Sequence, residues 1–91
     1  MTHKRVNVLG MELVQWNHES CRAHFAVEED WATLYEIKSA EPGKGHATEL
    51  LREAKRFYEA EGRRFGGTVA LTDRMKRIYQ RLGITEYTDE D

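Results

Sequence analysis

WATLYEIKSAEPGKGHATELLREAKRFY, residues 31–58, contains the change of rhythm on which the fold turns. Its first part repeats every second residue, with Trp31, Thr33, Tyr35 and Ile37 on one face and Ala32 and Leu34 on the other. Apolar residues on both sides predict a central strand covered on both faces. After the glycines the repeat lengthens. Ala47, Leu50, Leu51, Ala54, Phe57 and Tyr58 fall on one helical face, while Glu49, Arg52, Glu53, Lys55 and Arg56 lie mostly outside it. Gly62 is placed to stop that helix. The segment therefore reads as strand, glycine loop, helix.

The same reasoning extends both ways. Downstream, "GGTVALT" (residues 66–72) predicts a short apolar strand, and Thr72 or Asp73 can cap a second helix. Met75, Ile78, Tyr79 and Leu82 line one side of that helix, Gly83 ends it, and "ITEYT" (84–88) predicts a last strand before the acidic Asp89-Glu90-Asp91. Upstream, Val6 and Val8 alternate with polar residues, and Gly10 breaks the chain before "MELVQW". Cys21, Ala23, Phe25 and Val27 form a period-two series, with a turn at "EED" (28–30). The predicted order is three or four strands, helix, strand, helix, strand, so that N-terminal antiparallel strands lead into β-α-β-α-β in one mixed-sheet α/β (α+β) domain. The strand–helix–strand unit predicts a right-handed crossover between parallel neighbours.

Ninety-one residues suit a single core. No stretch approaches the ~20 apolar residues of a membrane span, and the N-terminal residues lack a secretory signal's apolar run. Cys21 is the lone cysteine, so no intrachain disulfide can form, and a cytoplasmic location is expected. The net charge of −2 is unevenly spread, with +5 over residues 44–81 and −7 over the remainder. The basic part contains the glycine loop, and its field would attract a polyanion. Solvated helix faces explain most such charges equally well.

Backbone N–H groups at a helix start lack intrahelical partners and face anions readily. "PGKGHATELL" (42–51) supplies such a start, with glycines that allow close approach. A P-loop needs Lys-Ser/Thr after its second glycine, but His46-Ala47 follows Gly45. A dinucleotide fingerprint needs a third glycine where Thr48 stands. The loop instead resembles (Arg/Gln)-x-x-Gly-x-(Gly/Ala) of the GNAT superfamily of N-acetyltransferases. Gly45 takes the main glycine, Ala47 the terminal small residue, and Pro42 the place of Arg or Gln. "MKRIYQRLGITEY" (75–87) is similar to the family's closing helix and strand, with Tyr79 and Gly83 matched and Ile84 where an aromatic is usual. The matched segments lie within residues 31–87. The region before the fourth strand is short, so the two-helix segment that shapes the family's acceptor site is expected to be missing.

That resemblance implies acetyl transfer from acetyl-CoA to an amine by direct attack in a ternary complex. Backbone around Gly43, Lys44, Gly45, His46 and Ala47, with Thr48, would hold the pyrophosphate. Strand backbone at Tyr35, Glu36 and Ile37 would pair with the pantetheine amides, and a strand N–H would polarise the thioester carbonyl. Tyr79 matches the family's general acid to the leaving thiolate. Glu36 is the candidate base, on the expectation that a covered strand raises its pKa. The acceptor is left open among a partner protein's lysine or N-terminus, a polyamine or another small amine. Pairing of two chains could complete its cleft.

Two other readings stand beside this one. The first is a non-catalytic module that binds CoA or an acyl-CoA. Tyr79 speaks against it, since phenylalanine would pack as well if no thiolate needed a proton. The second is a nucleic-acid-binding domain using the arginines and lysines of residues 44–81, although these alternate with glutamates and no reader motif is present. His18, Cys21 and His24 are spaced by three. If they share one strand, Cys21 points away from the two histidines, which disfavours a metal site.

Overall fold

The computed structural model describes residues 1–68, Ala70 and residues 72–86. Its elements run β1 (Thr2–Val8), β2 (Met11–His18), β3 (Cys21–Val27), β4 (Trp31–Ser39), α1 (His46–Ala60), β5 (Arg64–Gly67), α2 (Asp73–Leu82) and β6 (Thr85–Glu86). They form one six-stranded mixed sheet in sequence order. Strands β1 to β4 pair antiparallel, and β4, β5 and β6 pair parallel. The α+β architecture expected from the change of rhythm is present, with four N-terminal strands. The strand after α1 lies earlier than "GGTVALT" suggests, at Arg64–Gly67, because Phe65 supplies its inward side chain. Val69 and Leu71 of the expected strand, and residues 87–88 of the last one, fall outside the described residues.

Both helices cover the same face of the sheet. Phe65 packs toward α1 through the Tyr58 ring, with centroids 6.3 Å apart. Gly67 has the same parity on β5, and a Cβ placed there would meet the Tyr79 ring of α2. Gly66, of opposite parity, faces the Trp31 ring. The core lies between sheet and helices, where Phe25, Leu50, Leu51 and Ala54 are fully buried. Trp16 donates from Nε1 to the Tyr58 hydroxyl at 3.0 Å, satisfying both polar tips inside that layer.

No described element covers the other face, so β4 is not sandwiched as its composition suggested. A register shift adds to the difference. His24 pairs with Glu36 but Phe25 pairs with Leu34, leaving Tyr35 as the extra residue of a bulge. The bulge reverses the alternation. Tyr35 and Glu36 are both exposed, and Ile37 joins Ala32 and Leu34 on the helix side, packed against the core. The expectation that Ile37 shares a face with Trp31, Thr33 and Tyr35 is thereby corrected. His18, Cys21 and His24 are rearranged too. His18 and Cys21 are cross-strand partners in the β2–β3 hairpin, on the helix side, whereas His24 faces the uncovered side. Among the described residues no three metal-capable side chains converge.

Candidate functional site

The loop between β4 and α1 opens a cavity of about 350 Å³. Gly43 and Gly45 have φ of 91° and 83°, values that side-chain-bearing residues rarely adopt. Gly45 is the residue before the first turn of α1, and among the described residues no side chain caps that turn. The first bond across the helix start runs from the Glu49 N–H to the Gly45 carbonyl at 3.0 Å. The N–H groups of His46, Ala47 and Thr48 precede it and have no intrahelical acceptor. Ser20 Oγ lies 3.3 Å from His46 Nδ1, fixing the imidazole at the cavity wall.

The opposite wall is α2. Arg74, Arg77 and Arg81 recur at helical spacing along its cavity side, with Met75 and Ile78 between them. None of the three arginines has an ion-pair partner among the described residues. Among the described residues Glu41 is the one carboxylate in the lining. Three guanidinium groups without ion-pair partners among the described residues, together with the start of α1, give this cavity a positive lining of the kind that favours an anion. A cavity of this size takes a small ligand.

The cavity borders a stretch of β4 backbone that is unpaired on its β5 side among the described residues. Described pairing between β4 and β5 ends at Leu34 and Gly67, with the Thr68 N–H donating to the Leu34 carbonyl at 3.0 Å. Beyond Leu34, β4 continues to Ser39 paired with β3. Its β5-side edge thus runs from the point where the strands part, past Ile37, to the cavity.

Tyr79 stands at that parting. Its hydroxyl donates to the Thr68 carbonyl at 2.8 Å and fills the place that a Gly67 side chain would take. Burial, reinforced by the Glu86 carboxylate, pushes its pKa up to about 12. The hydroxyl therefore has a structural partner. Phenylalanine would not serve as well here, because the Thr68 carbonyl would lose its donor.

Of the sequence-predicted residues, the cavity brings together Ile37, Gly43, Gly45, His46, Ala47 and Thr48. Lys44 and Tyr35 are exposed and not part of its lining. Glu36 is half-exposed on the uncovered face, its Oε1 3.7 Å from His24 Nδ1 and its Oε2 3.9 Å from Lys38 Nζ. The covered environment on which its expected role rested is absent. Arg74, Arg77 and Arg81 were missed as a set. Their spacing in "DRMKRIYQR" places them on one helical face, but only the packing of α2 shows that this face looks onto the glycine loop. Compared with protein-family models, curated proteins and solved structures, the chain gives no match.

Proposed function

We propose that this chain is an N-acetyltransferase that uses acetyl-CoA as co-substrate and an amine as acceptor. One observation supports the reading above all. The glycine loop, the uncapped start of α1 and the arginines of α2 face a single cavity, and that cavity borders the edge of β4 that is unpaired among the described residues. A coenzyme with a diphosphate and an amide-rich arm needs these two surfaces side by side: donors for the anion, and an open strand for the amides. Pro42 contributes no cation to the loop, and Arg74, Arg77 and Arg81 supply that charge from across the cavity.

In the reaction the amine nitrogen attacks the thioester carbonyl carbon. A C–N bond forms, the C–S bond breaks, and a strand N–H carries the charge developing on oxygen. Tyr79 lies where β4 and β5 part, and its hydroxyl turns from Thr68 toward the leaving sulfur. With a pKa of about 12 it stays protonated at neutral pH. Complete transfer to a thiolate whose conjugate acid has a pKa of about 8.5 runs uphill, so the hydroxyl acts chiefly as a hydrogen-bond donor. The proton the amine releases passes to water, since Glu36 lies beside His24 on the uncovered face, turned away from the cavity.

The test is a thermal titration with acetyl-CoA, using ATP and NAD as controls. Ligand at 100 times its dissociation constant adds about 2.7 kcal/mol, a rise on the order of 10 °C in a domain of this size. A rise specific to acetyl-CoA, with turnover of an amine, is the expected result. A specific rise without turnover of any amine would indicate a CoA-binding module, and no rise at millimolar ligand would end the reading.

A further inference from the structure

The end of the molecule opposite the cavity carries an apolar tip beside free carboxylates. Val8, Leu9 and Met11, at the turn between β1 and β2, are all exposed, Leu9 almost wholly. Val8 and Met11 are cross-strand partners, so their side chains share one face next to Leu9. Leu9 also holds a φ of 51°, which a leucine adopts only against strain. Strain and exposure together, with no return from packing inside the chain, point to a contact outside it. The antiparallel order of β1 to β4 brings the β3–β4 turn to the same end. That turn supplies Glu28, Glu29 and Asp30, and β2 supplies Glu12 beside Met11. All four are exposed and have no ion-pair partner among the described residues. The turn itself is held in place by its backbone. The Glu28 N–H donates to the Trp31 carbonyl at 2.7 Å, Arg63 Nε to the Glu28 carbonyl at 2.7 Å, and the Arg64 N–H to the Asp30 carbonyl at 2.9 Å. Its carboxylates are thus presented by a fixed frame.

The backbone adds to the same polarity. β4 runs from this end to the glycine loop over 9 residues, roughly 26 Å at ~3.3 Å per residue. α1 returns the other way, and its last turn contains no basic residue. Its carbonyl end contributes further negative charge here. The molecule is therefore cationic around the cavity and anionic around the tip, and a ligand for the tip must be apolar and cationic at once. We infer that the β1–β2 tip and the β3–β4 turn dock a cationic amphipathic segment of a partner protein. Leu9 seats among the apolar side chains of that segment, and its lysines or arginines face Glu12, Glu28, Glu29 and Asp30. An anionic lipid surface or a nucleic acid would be repelled by the same carboxylates. This surface lies apart from the cavity and does not depend on what the cavity binds.

The test follows the backbone amide resonances of the isotope-labelled full chain during titration with a synthetic peptide of leucine and lysine at amphipathic helical spacing. The same peptide with glutamate for lysine is the control. The lysine peptide is expected to shift Leu9, Gly10, Met11, Glu28 and Glu29, and to bind about tenfold more tightly than the control. Leu9→Asn keeps the turn, because Asn-Gly favours its conformation, and should weaken the lysine peptide about tenfold while leaving acetyl-CoA binding unchanged. Glu28→Gln combined with Glu29→Gln should narrow the gap between the two peptides. Absence of binding, shifts confined to other surfaces, equal affinity for both peptides, or an unchanged affinity in Leu9→Asn would each overturn the docking surface. Tip resonances that move with protein concentration alone would assign the tip to a second copy of the chain. Broadening of those resonances by phosphatidylcholine vesicles, with no response to the peptide, would assign it to a membrane. Either result would overturn the partner segment.

Discussion

Gly67 and Tyr79 divide one volume between them. A Cβ on Gly67 would lie 2.7 Å from Tyr79 Cζ and closer still to the hydroxyl, a contact that a rigid phenol cannot relieve by rotation. Gly67→Ala should therefore cost about 1–3 kcal/mol through overpacking, read as a lower midpoint in urea unfolding. Tyr79→Phe removes the donor to Thr68 and should cost about 1–2 kcal/mol, since a half-buried carbonyl loses its partner. The pH dependence is a sharper check. The folded-state pKa of Tyr79 is raised from 10.0 to about 12, so between those values the folded protein keeps a proton that the unfolded chain has lost. Stability from this group is complete below pH 10 and declines as pH rises toward 12. Cys21 and Tyr58, also raised by burial, decline in overlapping ranges. They are common to both proteins and drop out of the difference. The wild-type advantage over Tyr79→Phe should thus shrink above pH 10 in urea titrations, and an advantage constant to pH 11.5 would count against the buried, protonated hydroxyl.

At the scale of elements, the β1–β2 hairpin carries an avoidable strain. Val8 pairs with Met11, so Leu9 and Gly10 form a two-residue turn with φ of 51° and 83°. Such a turn favours Asn-Gly, and a leucine in the left-handed region costs roughly 1–2 kcal/mol. Leu9 is 99% exposed, so it gains nothing from packing within the chain. Leu9→Asn should raise stability by about 1 kcal/mol, measured by thermal unfolding of the free protein. Gly10 was legible as a break because glycine marks positive φ, but Leu9 gave no local sign of it. The same contrast holds elsewhere. The helices were legible because Thr72 and Gly83 signal their ends: Thr72 Oγ1 accepts from the Met75 N–H at 3.2 Å, and Gly83 closes α2 at φ 70°. The bulge at Tyr35 was not. A bulge belongs to a pair of strands, and β4 alone shows an unbroken alternation. Its consequence, Ile37 turned toward the cavity and Glu36 turned away, was hidden with it. For the site, the loop residues announced themselves by type, whereas the arginines of α2 became a wall only through how two helices pack.

At the scale of the molecule, one layer of helices on one face of a sheet gathers the basic residues of both helices onto a single side. Arg74, Arg77 and Arg81 line the cavity, and Arg52, Lys55 and Arg56 continue beyond it. This concentration is what a nucleic acid would also seek, and salt dependence separates the two ligands. A single-stranded nucleic acid tracking the whole surface would neutralise about six charges, and its affinity should fall roughly 300-fold between 50 and 200 mM salt. A coenzyme held mainly by uncapped N–H groups and a few arginines inside a cavity depends less on salt, because a small ligand lacks the condensed counterion atmosphere that a nucleic acid releases. Coenzyme A affinity is therefore expected to fall by about tenfold or less over the same range. Parallel titrations with coenzyme A and a single-stranded oligonucleotide, each at 50 and 200 mM salt, make the comparison. A shallow coenzyme slope with weak, steeply salt-dependent oligonucleotide binding is expected. Tight oligonucleotide binding that persists at 200 mM, with none by coenzyme A, would transfer the basic surface to a nucleic-acid partner.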